Sequence, residues 1–235
     1  MIGNMISPFE GVYKPPSPDD YFDPVTHVAT EENFIKFLQA GIYTEDVIGY
    51  KVQLSNSVGY NNGLWIIADV NHDSENTGQT NCYDLISVDC VGQNVTMENY
   101  YWTTNYRILN YLNGNFYNGF SGIKSHIINI KYKSEGSWYD DSKIIIPSII
   151  EIGGWKNGSM NIEGIPYPIF PDHDNSSSAF RCKHASNTSS DLVAWWTRSI
   201  YLGDSDYYWI SNSTGYATQQ YRWTSAYYPA LFRVQ

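Results

Sequence analysis

Apolar residues fall into two rhythms along this chain. In "TEENFIKFLQAGI", Thr30 to Ile42, the residues Phe34, Phe37 and Leu38 recur at the three- and four-residue spacing of one helix face. Thr30 stands as an N-cap, Glu31 and Glu32 occupy the first turn, and Gly41 closes the far end. "NYRILNYLNGNFYNGF", Asn105 to Phe120, places Ile108, Leu109, Leu112 and Phe116 on one face and predicts a second helix. The other apolar runs are short, β-branched or aromatic, and bounded by Asn, Gly, Asp and Ser: "IGYKVQL", "GLWIIADV", "YDLISVDCV", "IINIKYK", "SKIIIPSIIEIG", "DLVAWWTRSI", "DYYWISNS" and "PALFRVQ". Such runs predict strands. No fixed period joins them, which excludes solenoids and propellers. The pattern predicts one α+β domain with an irregular, loop-rich second half.

Two places break the rhythm. Residues 1–29 carry five of the ten prolines and little apolar periodicity, so they read as an extended arm before a domain over 30–235. Phe9, Tyr13, Tyr21 and Phe22 give that arm anchors a pure spacer would not need. In "LVAWWTRSIY", Leu192 to Tyr201, adjacent Trp195 and Trp196 must point to opposite faces of a strand. One meets the core; the other needs a second layer, a loop or a partner.

Composition sharpens the picture. Charged residues make up only 16% and aromatics another 16%, with 21 tyrosines, which favours strands and polar loops over helices and excludes a disordered chain. A net charge of -10 argues against a nucleic-acid partner and against docking on an anionic membrane. No run is long enough to span a membrane, and the first residues lack the cationic start and apolar stretch of a signal peptide. Cys82, Cys90 and Cys182 are odd in number and read as free thiols of a cytoplasmically assembled protein. Five Asn-X-Ser/Thr triplets, at Asn94, Asn157, Asn175, Asn187 and Asn212, then read as chance products of an Asn/Ser-rich chain.

Signs of chemistry are sparse. "ADVNHDSEN" alternates Asp69, Asn71, Asp73 and Glu75 like the opening of a calcium loop, but Ser74 and Thr80 stand where Gly and Glu are required. His72, His126, His173 and His184 have no zinc-ligand spacing. No nucleophile elbow, P-loop or dinucleotide fingerprint occurs. The acidic pairs Asp140–Asp141 and Asp204–Asp206 sit in loop-like sequence and read as solvated. No catalytic residue, metal or cofactor is expected. What remains is the mixture of Tyr207, Tyr208, Trp209, Tyr216, Tyr221, Trp223 and Tyr227 with Ser, Asn, Gly, Gln and Thr. Antibody loops converge on that mixture because Tyr and Trp supply contact area at low entropic cost. Their ring faces also suit sugars. These seven are the candidate binding residues, with half of such aromatics expected in the core.

"GLWIIADVNHD", "RILNYLNGNFYNGF", "KIIIPSIIEIGG", "IPYPIF", "WWTRSI" and "YYPALFRV" follow one another in an order that resembles an uncharacterised domain family of gut-Firmicute phages and prophages. The resemblance runs from about Phe34 to Gln235. Thr197, Ile200 and Tyr228 depart from the family's usual Leu, Pro and Arg. The family looks like the C-type-lectin-like fold shared by formylglycine-generating enzymes and phage receptor-binding proteins. That resemblance implies a structural signature at Trp195, Trp196 and Arg198, with Arg198 satisfying buried carbonyls or a carboxylate beneath a display surface. The metal and cysteine chemistry of the enzymatic relatives does not map onto the three cysteines. The function expected is that of a phage virion protein: a capsid- or tail-attached decoration or fibre, assembled in the bacterial cytoplasm. Its arm would dock it to other virion proteins, as a homo-oligomer, and its lectin-like domain would meet a host-surface glycan or protein. The alternatives are pure reinforcement of capsid or tail and, behind it, a cell-wall glycan hydrolase.

Overall fold

The computed structural model describes residues 15–92, 94–154, 163–170 and 176–235. The fold is mixed α+β and mostly strands. Its main sheet has seven strands, with β1 (Val28–Thr30), β2 (Lys51–Leu54), β3 (Gly63–Val70) and β4 (Tyr83–Ser87) in order from one edge. The last strand of the chain, β14 (Leu231–Val234), then lies between β4 on one side and β5 (Ile127–Ile128) and β8 (Ile144–Ile145) on the other. All pairings are antiparallel except β1 with β2. Because β14 is interior, it is buried on both faces and reads as the continuous run Leu-Phe-Arg-Val.

Helix α1 (Glu31–Gln39) is capped by the Thr30 side chain, which accepts from the Asn33 N–H at 3.3 Å, and buries Phe34, Phe37 and Leu38. The second helical stretch begins as α3 (Tyr106–Tyr111), passes through a π-helical segment over Leu112–Phe116, and ends with α4 (Tyr117–Gly119). Asn113 accounts for the irregularity. Its amide donates to the Leu109 and Ile144 carbonyls and accepts from the Lys143 and Ile144 N–H groups, so it ties the helix to β8 at the cost of regular winding. Phe116 and Phe120 from this stretch pack on Trp65 of β3, whose ring lies 4.6 Å from that of Phe232.

The expected arm boundary at residue 29 is corrected by this packing. Phe22 is 3% exposed and stacks edge-on against Phe34, Phe37 and Tyr50, while Val28–Thr30 forms an edge strand of the main sheet. Residues 15–29 therefore belong to the domain; the remainder of the expected arm, including Phe9 and Tyr13, lies outside the described residues. Asp140 and Asp141 are exposed as expected, but on a strand rather than a loop: β7 (Ser137–Ser142) pairs with β6 (Ile130–Ser134) as a separate hairpin.

The second half is built on a three-stranded antiparallel sheet of β11 (Trp195–Ile200), β12 (Tyr207–Ser211) and β13 (Ala217–Tyr221). Every residue of β11 is buried. Trp195 and Trp196 turn to opposite faces and both find partners: Trp195 donates to the Arg181 carbonyl at 2.8 Å and Trp196 to the Val95 carbonyl at 2.7 Å. The tryptophan pair thus joins β11 to chain segments on both sides.

Candidate functional site

The three-stranded sheet has two different ends. At one, the turn from β12 to β13 is sealed. Arg181 is fully buried and donates to the carbonyls of Gly215 and Gly153 at 2.8 and 3.0 Å, and also to that of Ser176. Gly215 has φ +73°, and a Cβ there would sit 1.9 Å from the Ser178 carbonyl oxygen.

At the other end, the turn from β11 to β12 stays open, and aromatic rings collect around it. Tyr207 and Tyr221 face each other across β12 and β13 with centroids 5.5 Å apart. Arg222 follows Tyr221, and its guanidinium lies between two rings: 4.1 Å from Tyr100 and 4.0 Å from Trp223. Its Nε donates to Asp206 at 3.0 Å and its Nη1 to the Glu98 carbonyl at 3.0 Å. Arg222 is itself buried, whereas Trp223, Tyr100 and Tyr101 are each about half exposed, at 51%, 46% and 56%. Rings held this way lose little further freedom on meeting a ligand.

Beside them opens a cleft of about 220 Å³. Tyr101, Tyr201, Leu202, Ser205 and Glu135 line it together with the buried Ile200 and Glu163. Glu135 sits at the tip of the β6–β7 hairpin, in a turn where it and Gly136 both have positive φ, 53° and 83°. Such a turn favours Asn or Gly at the first position, and here a glutamate is held there by the Trp102 N–H at 3.0 Å. Glu163 is 2% exposed and accepts from the Ser199 hydroxyl at Oε2.

The charges beneath the cleft are organised by Arg198. Its guanidinium forms a bidentate pair with Glu151, with Nη1 at 2.6 Å from Oε2, and donates to the Ile146 carbonyl at 2.9 Å. Arg198 thus satisfies both a carboxylate and main-chain carbonyls, while its Nη2 also reaches the Lys133 carbonyl at 3.2 Å. With Arg198 matched by Glu151, Glu163 is left without a full counter-charge. Burial pushes its carboxyl up to about 7, against the pull of Arg198 and the Ser199 hydrogen bond. Burial also raises Glu135, opposed by the Trp102 N–H.

Of the seven candidate binding residues, the structure brings Tyr207, Tyr221 and Trp223 together at the open end. Tyr208 and Trp209 are corrected: both are buried in the core, because β12 is the central strand and is covered on both faces. Tyr208 spends its hydroxyl on Asn105 and on the Asn99 and Tyr100 carbonyls. Tyr216 is exposed but lies in the sealed turn, and half-buried Tyr227 bridges to Trp195 at the far end of β11. Sequence reading missed Tyr100, Tyr101, Tyr201, Arg222, Glu135 and Glu163. "NYY", Asn99 to Tyr101, carried a detectable signal, but the two glutamates did not: they reach the cleft from turns distant in sequence.

Among the described residues, no three His, Cys, Asp or Glu side chains are grouped to hold a metal ion. The calcium-like stretch is instead tied up locally, with His72 Nδ1 2.7 Å from Asp69 and its ring stacked 3.8 Å from Tyr167. Among the described residues, no helix is long and apolar enough to cross a membrane. Burial pushes the thiols of Cys82 and Cys90 up to about 11 and 12, so neither is a ready nucleophile.

Residues 82–232 match the model of a family described as a domain of unknown function, DUF6273. That span holds β4, the helical stretch with Asn113, the tryptophan pair and the whole aromatic end with its cleft, and stops within β14. No curated protein and no solved structure matches the chain.

Proposed function

The chain belongs to the DUF6273 family, and we propose that this member is a recognition module that binds a surface glycan through the open end of its second sheet, without making or breaking covalent bonds. The observation that carries the reading is the clamped ladder of Tyr100, Arg222 and Trp223, which presents exposed rings beside a cleft. Flat rings with adaptable polar neighbours suit the apolar faces of sugars. The cleft is smaller than the ~300–1,000 Å³ of sites that enclose drug-sized ligands, so it takes one small group while the rings bear on the rest.

The wider setting follows the resemblance to phage and prophage domains with a C-type-lectin-like fold. In that setting the module is a virion component, a decoration or fibre of capsid or tail assembled in a bacterial cytoplasm, and its ligand is on the host envelope. Attachment to other virion proteins, as a homo-oligomer, falls to the N-terminal residues.

Binding to purified bacterial envelope polysaccharide tests the reading, with Trp223→Ala and Tyr101→Ala as paired variants. Each is expected to weaken retention at least about tenfold, or 1.4 kcal/mol, with the fold intact. Retention unchanged in both variants would overturn it. Loss of particle assembly in those variants would instead assign the rings to subunit contacts. Deletion of residues 1–14, which spares Phe22 and β1, is the fitting truncation for the attachment role.

A further inference from the structure

Resting on that recognition reading, we propose that the cleft between Tyr101 and Tyr201 is a subsite for an organic ammonium group: the free amine of a de-N-acetylated amino sugar, or a quaternary headgroup such as choline. Three observations converge on a cation. The cleft is walled by two tyrosines and apolar side chains, an environment that takes an ammonium through ring faces as well as through charge. Two carboxyl side chains, Glu135 and the buried Glu163, line it. Ser199 is the one hydrogen-bond partner of the Glu163 carboxylate among the described residues, and it occupies Oε2, so Oε1 is unpartnered in a side chain that is 2% exposed and faces this cavity.

Charge matching excludes the opposite assignment. Arg198, the cation that acts on Glu163, is already bound to both oxygens of Glu151 and to main-chain carbonyls, so it is not free to receive an anion. The groups that face Glu163 are Arg198 and Ser199 on β11, Glu151 in the turn after β8, and Glu135 on the β6–β7 turn. Their sum leaves the site short of positive charge whenever Glu163 is ionised. Below about pH 7 the Glu163 carboxyl is mostly protonated, and an arriving cation favours its carboxylate form. Binding then follows a balanced exchange: the Glu163 carboxylic acid releases its proton to solvent, and its carboxylate accepts N–H bonds from, or pairs with, the incoming ammonium.

The experiment is calorimetric titration of the full chain at about pH 6.5, in two buffers of different ionisation enthalpy, with glucosamine, N-acetylglucosamine and choline. Glucosamine or choline is expected to bind with proton release, and N-acetylglucosamine at least about tenfold more weakly. The stronger of the two amines identifies the source of the ammonium. Glu163→Gln is expected to abolish the proton release and to weaken the amine at least about tenfold, and Glu135→Gln to weaken it in the same direction. Equal affinity for the amine and its acetylated form, or no binding of either amine, would overturn the subsite. So would proton release that survives Glu163→Gln. Envelope polysaccharide retained through Trp223 regardless of its amines would sink the subsite alone; amines bound by a protein that retains no polysaccharide would sink the glycan reading alone.

Discussion

The two ends of the three-stranded sheet start from the same sequence materials and reach opposite outcomes. Both turns contain Ser, Gly and Tyr, and each is organised by one buried arginine. At the sealed end, Arg181 points its donors at main-chain carbonyls and draws the chain onto itself. At the open end, Arg222 spends two donors on Asp206 and Glu98 and offers its flat faces to Tyr100 and Trp223. An arginine that satisfies carbonyls closes a turn; one stacked between rings holds them outward. Exposure here therefore follows from where the guanidinium's donors go, and not from how polar the turn is.

Breaking the shared floor gives the largest expected effect. Arg198→Met removes the partner of Glu151 and leaves a buried carboxylate uncompensated, which is expected to cost about 3–5 kcal/mol of stability in denaturant titration. Glu151 lies two residues before Gly153, whose carbonyl Arg181 holds at the sealed end, so both ends should loosen together.

A change of pH sharpens the comparison, because Glu163 at the open end changes its charge near neutrality. The Glu163 carboxyl sits at about 7 in the folded chain against an ordinary value of 4.5. The folded state therefore holds the extra proton between those values, and stability from this group is present at low pH and lost as pH rises through about 7. The loss is on the order of 3 kcal/mol. Glu163→Gln should flatten that slope between pH 5 and 8 as roughly chosen limits for the titration, and should be the more stable protein at the upper limit. Parallel curves for the two proteins would contradict the burial account of Glu163.

Two surface changes come next. Gly215→Ala adds one methyl group at the sealed end, yet both its φ of +73° and the Ser178 carbonyl 1.9 Å away oppose it. A cost of at least about 1–2 kcal/mol is expected from the backbone alone. Trp223→Ala removes a whole indole at the open end and should cost only about 0.5–1 kcal/mol, the value of an exposed cation–π contact. A small addition that costs more than a large deletion would place the folding role at one end and the ligand role at the other. Thermal or denaturant unfolding of the pair decides it.

How far the sequence carried these conclusions depended on whether the cause was local. Helix α1 was legible because Thr30, Phe34, Phe37, Leu38 and Gly41 all act within about three turns. Strand β3 matched its apolar run from Gly63 to Val70. Strand β13 was missed because Ala217–Tyr221 is an edge strand whose polar side chains carry no alternation. The π segment was not legible, since Asn113 answers to Ile144, a partner remote in sequence. Phe22 looked like an arm anchor, and only the packing shows that its partners are this domain's own Phe34, Phe37 and Tyr50. The site divided in the same way. Aromatic density announced Tyr207, Tyr221 and Trp223, but the exposure that separates them from Tyr208 and Trp209 depends on β12 being central. Glu135 and Glu163 become a pair only when a hairpin tip and a loop meet over β11.

The most direct test of the recognition surface is the set of indole N–H resonances recorded while bacterial envelope polysaccharide is titrated into the full chain. The account predicts that the Trp223 signal moves with saturating ligand while that of Trp195, locked onto the Arg181 carbonyl, stays in place. A Trp195 that shifts while Trp223 remains still would contradict it.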